Sequence, residues 1–468
     1  MAGKTCSAHY PRAMKFVELS RGGIDRRDFL AAGGTASAFM ALFRAMEARA
    51  QEAPEGLRTD ATPPIKCGVI GCGPRGREVI STLALLPSAP LVAVCEHYPA
   101  LLSRAQRSAP KAKAYATHAE LLADKEVEAV IIATPTHQHR QIVADALKAG
   151  KHVYCEAPLA HTVEDTLAIA ASAKANPRFN FQSGLQLRSE PQRHFLLPFI
   201  RAGGLGSTIK ARVQWHKKQS WRQISPNAER EKEINWRLDQ KLSPGLMGEL
   251  GLHQADEVSW FYNMRPRAVT GFGSLTKWKD DGRKVPDSVQ AVFEYSGGVH
   301  LSQELTIANS FDSEYELFYG TDSAIMLRGT KAWMFKETDA PLIGWEVYAR
   351  KDQFFSETGI ALVANATKLA AKEDAVVLSP FQNTPLYYAL EAFAYNTHQV
   401  KSAVEDFVQT FGESDAATIA EHLSKLKESR LPAADVVDGA QATVVALKAN
   451  ESILTGKRIE FQDEWFKI

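Results

Sequence analysis

The 468-residue chain has no apolar run long enough to cross a bilayer, which takes about 20 consecutive apolar residues. Cysteine is scarce: five in all, Cys6, Cys67, Cys72, Cys95 and Cys155, and no C-x-x-C pair. That spacing argues against a zinc site of the paired-cysteine kind, so buried free thiols are expected. Charge of one sign is missing too. The formal net charge is +1, which gives no footprint for nucleic acid or an anionic membrane. Internal repeats and low-complexity tracts are absent. What remains is a globular composition, 45% hydrophobic and 23% charged, at a length that suggests two domains and a leader.

The leader is read from residues 1–50. Arg26-Arg27-Asp28-Phe29-Leu30 is a twin-arginine pair followed by two apolar residues, a modest Ala- and Gly-rich stretch to Phe43, and small residues at Ala48-Arg49-Ala50. This is the layout of a Tat export signal and predicts a periplasmic protein. Without residues 1–50 the balance is 47 basic to 50 acidic residues, mildly negative. Residues 51–64, with Pro54, Pro63 and Pro64, read as a linker.

From Ile65 short apolar runs alternate with helical periodicity. Strands are expected at Ile65–Ile70, Leu91–Cys95, Ala129–Ala133, His152–Cys155 and Phe179–Gln182, with helices at His137–Ala149 and Val163–Ala175. That alternation predicts a parallel, doubly wound sheet over 65–190. After Gly206 strands dominate: Thr208–Lys217, Arg267–Thr276, Ser288–Tyr295, Val299–Thr306, Tyr315–Tyr319 and Ala324–Leu327. Helices are expected again at Thr358–Lys372, Tyr387–His398 and Ala433–Thr455. The expectation is an α/β Rossmann domain followed, over 191–468, by an α+β domain with a large, open, mainly antiparallel sheet.

Cys67 to Gly76, "CGVIGCGPRG", ends a strand and opens a helix. Gly71, Gly73 and Gly76 fit G-x-G-x-x-G: one glycine for the tight turn, one for close approach of a pyrophosphate, one for helix–strand packing. Pro74 and Arg75 complete the expected cofactor loop. Glu96, at the end of the second strand, would accept from both ribose hydroxyls and repel a 2′-phosphate, so NAD is expected over NADP.

Four further stretches, "ATPTHQH" (133–139), "AGKHVYCEAPLA" (149–160), "GLQLR" (184–188) and "GELGLHQAD" (248–256), follow in order. With the glycine loop they resemble the Gfo/Idh/MocA oxidoreductases over roughly residues 64–345. The resemblance implies that Thr134, Pro135 and His139 lie near the nicotinamide ribose. It places Glu156 and Pro158 as the outer residues of a Glu-Lys-Pro triplet bordering nicotinamide and substrate. Gln186 and Arg188 become substrate contacts, and His253, with Glu249 and Asp256, the group that meets the oxidised hydroxyl. It also implies a homo-oligomer formed through the open sheet.

Spacing alone puts Glu249, His253 and Asp256 on one helix face after Ser243-Pro244, where a histidine between two carboxylates can carry a proton. A surface charge cluster, a metal site and a satisfied core histidine fit the same spacing; no metal is expected in the reading preferred here.

The triplet departs from the family at its centre: Ala157 stands where lysine belongs. Ala157 can neither accept a proton nor stabilise an alkoxide. His253 is the leading replacement base, with His139, His161 and Lys151 behind it. Lysine-lacking relatives resemble NAD-dependent glycoside hydrolases, which oxidise a sugar hydroxyl transiently, eliminate the glycosidic oxygen, add water and return the hydride. Outside the cytoplasm, where free NAD is scarce, a redox-neutral cycle on retained NAD is favoured. Trp215, Trp221 and Trp236, interleaved with Gln, His, Arg and Asn, suit a sugar or glycoside. A non-catalytic exported sugar-binding protein is the reading from another class.

Overall fold

The computed structural model describes residues 62–341, 351–354, 357–362 and 381–468. The expected leader, and the linker up to residue 61, lie outside the described residues.

The first sheet contains β1 (Cys67–Ile70), β2 (Leu91–Cys95), β3 (Lys113–Tyr115), β4 (Ala129–Ile132), β5 (His152–Cys155) and β6 (Phe181–Ser183). The order is β3-β2-β1-β4-β5-β6, and every pairing is parallel. β1, β4 and β5 are buried at every position, as strands covered by helices on both faces must be. The order reverses between β1 and β4, so a ligand crevice opens beyond the carboxyl ends of those strands. The helix Val163–Ala175 starts where expected, capped by Thr162, whose hydroxyl accepts from Asp165 N. Its neighbour is shorter than the periodicity implied: a 3-10 turn over Thr136–Gln138 precedes the helix His139–Lys148.

The second sheet has ten strands. They are β7 (Thr208–His216), β8 (Ala268–Ser274), β9 (Ser288–Glu294), β10 (His300–Thr306), β11 (Glu314–Gly320), β12 (Ser323–Arg328), β13 (Lys331–Lys336), β14 (Lys351–Phe354), β15 (Glu357–Ala361) and β16 (Ile459–Glu460). Their order is β14-β15-β13-β12-β11-β7-β10-β9-β8-β16, antiparallel except for β10 beside β7. β9 alternates buried and exposed positions, the signature of one packed and one open face. The packed face meets the helices Pro191–Arg201, Leu252–Tyr262 and Val436–Thr455, with Phe199, Phe261, Phe293, Phe318 and Val444 at the centre.

One expected helix is wrong where it can be seen. Residues 357–361, the start of the expected helix Thr358–Lys372, form β15, paired through Ile360 with Met334 and through Ala361 with Trp333. The ladder to β13 supplies backbone partners that outweigh local helix preference. The remainder of that stretch lies outside the described residues. The helix Pro385–Phe411 is twice the expected length. Its Leu386, Leu390 and Phe393 pack with Val69 and Tyr154, so the late helices add to the core of the first sheet as well as the second.

Among the described residues no helix is long and apolar enough to cross a membrane. Cys67, Cys72, Cys95 and Cys155 are buried and free, and burial pushes the first three thiols up to about 12.

Candidate active site

The crevice is built first by the loop after β1. Gly71 adopts φ +93°, and a Cβ there would meet the Ala133 carbonyl at 2.8 Å. A Cβ on Gly76 would stand 1.9 Å from the Gly71 oxygen. Both positions are closed to any side chain. A Cβ on Gly73, by contrast, would meet nothing within 4 Å. That open space sits at the N-terminus of the helix Pro74–Leu83, where backbone N–H groups and the helix dipole favour a phosphate. The residues present therefore fit a dinucleotide pyrophosphate.

At the far end of the crevice Glu96 is buried, accepting from Cys72 N and Tyr98 N at 3.0 Å each. The short helix Ala228–Ile234 reaches this end from the second sheet. Arg230 lies 4.3 Å from the Tyr98 ring centroid and donates to Glu233 at 3.1 Å; Glu233 also meets His97 at 3.3 Å.

The opposite end is where the missing lysine would stand. Ala157 is partly buried and followed by a cis bond to Pro158. Arg75 leans across from the glycine loop instead. Its Nε donates to Glu156 Oε1 at 2.9 Å, one terminal nitrogen to Gln186 Oε1 at 2.9 Å, and the other to Glu78 at 2.9 Å. Burial opposes its charge, yet Glu156 and the hydrogen bonds hold its pKa above the usual guanidinium value. Gly184 abuts this turn: a Cβ there would lie 2.8 Å from Glu156 Cα.

Two of the weaker base candidates are excluded by their bonding. His139 is fully buried, with Nδ1 at 3.2 Å from the carbonyls of Pro158 and Leu159 and Nε2 at 3.0 Å from Thr134 O. It ties the Thr134-Pro135 loop to the Pro158 turn and has no nitrogen for substrate. Lys151 donates to the carbonyls of Asp124 and Val127 at 2.9 and 2.6 Å, at the amino end of β5, opposite the crevice.

The second wall is a helix running from just after Ser243, whose hydroxyl accepts from Gly245 N at 3.1 Å. It contains a π turn, Met247–Gly251, before the α-helix Leu252–Tyr262. That turn carries an extra residue per turn and breaks the single face implied by the spacing. Glu249 and Asp256 consequently do not flank His253 with free carboxylates. Glu249 accepts from Thr136 Oγ1 at 2.9 Å and from Arg237 Nε at 2.8 Å. Asp256 is held by Arg188 through two bonds of 2.8 Å, and Arg188 donates also to Asp438 at 2.9 Å. Both carboxylates build the wall rather than orient the imidazole.

His253 is partly buried, and its Nδ1 has no hydrogen-bond partner. Burial, with Arg75 adding to it, pushes its pKa down to about 4. It is neutral at neutral pH and able to accept a proton. Trp236 is buried, and the Arg237 guanidinium lies 4.7 Å from its ring centroid and 5.9 Å from that of Trp221. The edge of His137 meets Trp236 at 5.7 Å and His161 at 6.1 Å. The partly exposed Trp221 is thus the more accessible flat face.

The structure brings Arg75, Glu156, Gln186 and the loop after β4 to one crevice end. Arg188 and Asp256 are tied to each other, and Thr136, Arg237 and His137 enter unannounced. The Asn235-Trp236-Arg237 run is expected from its residue types to suit a sugar; its Arg237 donates instead to Glu249, a pairing no sequence pattern signals. Among the described residues no group of three or more His, Cys, Asp and Glu is placed to hold a metal.

Known proteins line up with this geometry. Residues 65–182 match the model of the Gfo/Idh/MocA oxidoreductase family with an NAD-binding Rossmann fold, and residues 198–334 that of the Gfo/Idh/MocA C-terminal domain. A glycosyl hydrolase family 109 protein of Shewanella amazonensis is 31% identical over 173 residues, covering 33% of this chain and 38% of its own. The rhizopine catabolism protein MocA of Rhizobium meliloti is 26% identical over 50% of this chain and 68% of its own. The chain thus spans well under half the length of the first of these and about two thirds of the second. Two solved structures share the fold. Levoglucosan dehydrogenase with NADH superposes with TM-score 0.61 at 18% identity, over 85% of this chain and 99% of the other. Aldose-aldose oxidoreductase of Caulobacter crescentus gives 0.58 at 15%, over 85% and 100%. The chain belongs to the Gfo/Idh/MocA family of oxidoreductases, with an NAD-binding Rossmann fold and the family's C-terminal domain.

Proposed function

We propose that this protein is an NAD-dependent oxidoreductase acting on a sugar or glycoside, with His253 receiving the proton of the hydroxyl being oxidised. The observation that carries the reading is a neutral, unpartnered imidazole on the helix wall at the carboxyl end of the β1/β4 crevice, beside a glycine loop that fits a pyrophosphate. Gly71, Gly73, Pro74, Arg75 and Gly76 would hold the pyrophosphate end, Glu96 the adenosine ribose, and Thr134, Pro135, Glu156 and Pro158 the nicotinamide end. When bound, NAD+ accepts the hydride from the carbon that carries the hydroxyl. Gln186 and the Trp221 face would position the sugar, while Glu249 and Asp256 hold Arg237 and Arg188 in the wall. Glu96 favours NAD over the 2′-phosphorylated cofactor.

A second reading is net glycoside cleavage by transient oxidation. Ala157 favours it, together with the partial match to family 109 glycosyl hydrolases. The twin-arginine leader would suit it further, because an exported enzyme that restores its own cofactor needs no external acceptor. Self-association through the open sheet face, where Phe272 and Val292 are exposed, belongs to the same proposal.

The test uses the purified protein with aryl glycosides and free sugars, with no NAD added. Many turnovers of released aglycone without lasting reduced cofactor support the redox-neutral cycle. At most one equivalent of reduced cofactor, relieved by added NAD+ or a keto-sugar, supports plain oxidation. Full activity in His253→Asn would remove His253 from the role.

A further inference from the structure

Between β7 and Trp236 the chain forms a loop that is tied at its own neck. Gln223 N donates to Asn235 Oδ1 at 2.8 Å, and Asn235 Nδ2 donates back to Gln223 O at 2.8 Å and to Glu231 O at 2.7 Å. Arg222, beside the neck, donates to Asp281 O at 2.7 Å and so fixes it to the second domain. The tip carries the helix Ala228–Ile234, opened by Asn227, whose side chain accepts from Arg230 N at 2.9 Å. All seven residues of that helix are half-buried or exposed, so no packed core holds it down. Polar contacts to the turn after β2 do so instead. The Arg230 guanidinium lies 4.3 Å from the Tyr98 ring centroid. Glu233 accepts from Arg230 at 3.1 Å and meets His97 Nε2 at 3.3 Å. His97 Nδ1 in turn lies 3.2 Å from Glu96 Oε1. The carboxylate placed for the adenosine ribose is thus linked, through one imidazole, to a helix of the other domain.

We propose that Arg230 and Glu233, closing on Tyr98 and His97, form a clasp over the adenosine end of the crevice, and that this clasp opens before NAD enters or leaves. The energetics suit such a device. Contacts between partly exposed charged groups are each worth little, so together they hold the helix closed most of the time yet let it open. A helix seated in a hydrophobic core would not open at comparable cost. Opening breaks the stacked and charged contacts at the tip while the bonds of Gln223, Asn235 and Arg222 keep the neck in place. A cycle that restores its own cofactor requires a cofactor that stays, and the clasp supplies the retention. It has this role only if the crevice binds NAD, as proposed for the glycine loop and Glu96.

The test measures cofactor exchange and needs no turnover. Entry is the rate at which the full chain takes up radiolabelled NAD+, and release is the rate at which excess unlabelled NAD+ displaces it. Arg230→Ala should speed release by about three- to tenfold, the worth of one cation–ring contact and a weak ion pair. Entry should speed by a similar factor, because the contacts removed lie between protein groups and a closed clasp obstructs passage both ways. Affinity should therefore change much less than either rate. Tyr98→Leu should behave like Arg230→Ala, whereas Tyr98→Phe, which keeps the ring, should exchange as slowly as the unaltered protein. If Arg230→Ala does not fold, the contrast between Tyr98→Leu and Tyr98→Phe decides in its place. Exchange rates unmoved by Arg230→Ala, or by Tyr98→Leu, overturn the proposal. Faster release with unchanged entry overturns it too, since that is the mark of side chains that touch the cofactor without gating it. Unaltered protein that takes up no labelled NAD+ fails at the earlier step: it refutes the NAD reading of the crevice, and the clasp with it.

Discussion

Arg75 Nε donates to Glu156 Oε1 at 2.9 Å across 81 residues of chain, joining the glycine loop after β1 to the turn after β5. The bond closes the crevice end where β4 and β5 terminate, and both side chains are largely shielded from water. Glu156→Ala should therefore cost about 1–3 kcal/mol by leaving a shielded guanidinium with one partner fewer. Glu156→Gln, which keeps an acceptor, should cost less. Urea unfolding of the two variants checks the order.

The glycine loop separates folding from cofactor binding. Gly76→Ala would drive a Cβ to 1.9 Å from Gly71 O and should unfold the loop, lowering both stability and NAD affinity. Gly73→Ala meets no protein atom within 4 Å and should leave thermal stability within about 0.5 kcal/mol. It should nonetheless weaken NAD binding at least tenfold, because the methyl group enters the space a pyrophosphate needs. Calorimetric titration with NAD+ on both variants distinguishes the two effects.

His253→Asn should lower turnover by about 10²- to 10⁴-fold, the usual worth of a positioned proton acceptor. Sugar affinity should barely change, since the wall bonds of Glu249 and Asp256 do not involve His253. With a pKa near 4 in the free protein, the acid limb of kcat/KM should lie well below pH 6. Initial rates from pH 4 upward measure it.

Arg188 is a wall element. Its guanidinium spans Asp256 and Asp438, and burial together with neighbouring carboxylates raises Asp438 to about 6. Arg188→Ala should destabilise by about 3–5 kcal/mol, the cost of leaving a buried carboxylate uncompensated. Thermal unfolding without ligand reads this, apart from any loss of activity.

A buried group of charges under the second sheet should make stability fall from mildly acidic to mildly alkaline pH. Arg193 meets Glu257 at 2.8 Å and Glu316 at 3.5 Å, and pairs also with Glu190; Gln254 donates to Glu316 at 2.9 Å. One cation faces three carboxyls, and burial pushes Glu257 up to about 8 and Glu316 up as well. A raised carboxyl pKa favours the protonated form in the folded state. Its contribution is full below the unfolded value of 4.5 and is lost as pH rises through about 8. The melting temperature should fall as pH rises from about 5 to 8 and level off above that, and Glu257→Gln should flatten that fall.

Much of this was legible in the residues. The strands of the first sheet announced themselves as short apolar runs because both of their faces are covered, and the glycine loop because a tight turn admits few residues. Local pattern failed where partners distant in sequence decide the outcome. Residues 357–361 became a strand because β13 offered a ladder. Glu249, His253 and Asp256 sat at helical spacing, yet a π turn and two arginines, Arg237 and Arg188, took the carboxylates away. The bond between Arg75 and Glu156 depends on a contact between two loops, and no periodicity reports it.

The most direct measurement mixes NAD-loaded protein with a panel of aryl glycosides and free sugars in a stopped-flow spectrometer and follows the reduced-nicotinamide band. The account predicts that at least one compound produces reduced cofactor, transiently or lastingly, in the unaltered protein, and that the rate of its appearance falls by about 10²- to 10⁴-fold in His253→Asn. Bound NAD that no sugar or glycoside reduces, or reduction that proceeds equally in His253→Asn, would contradict it.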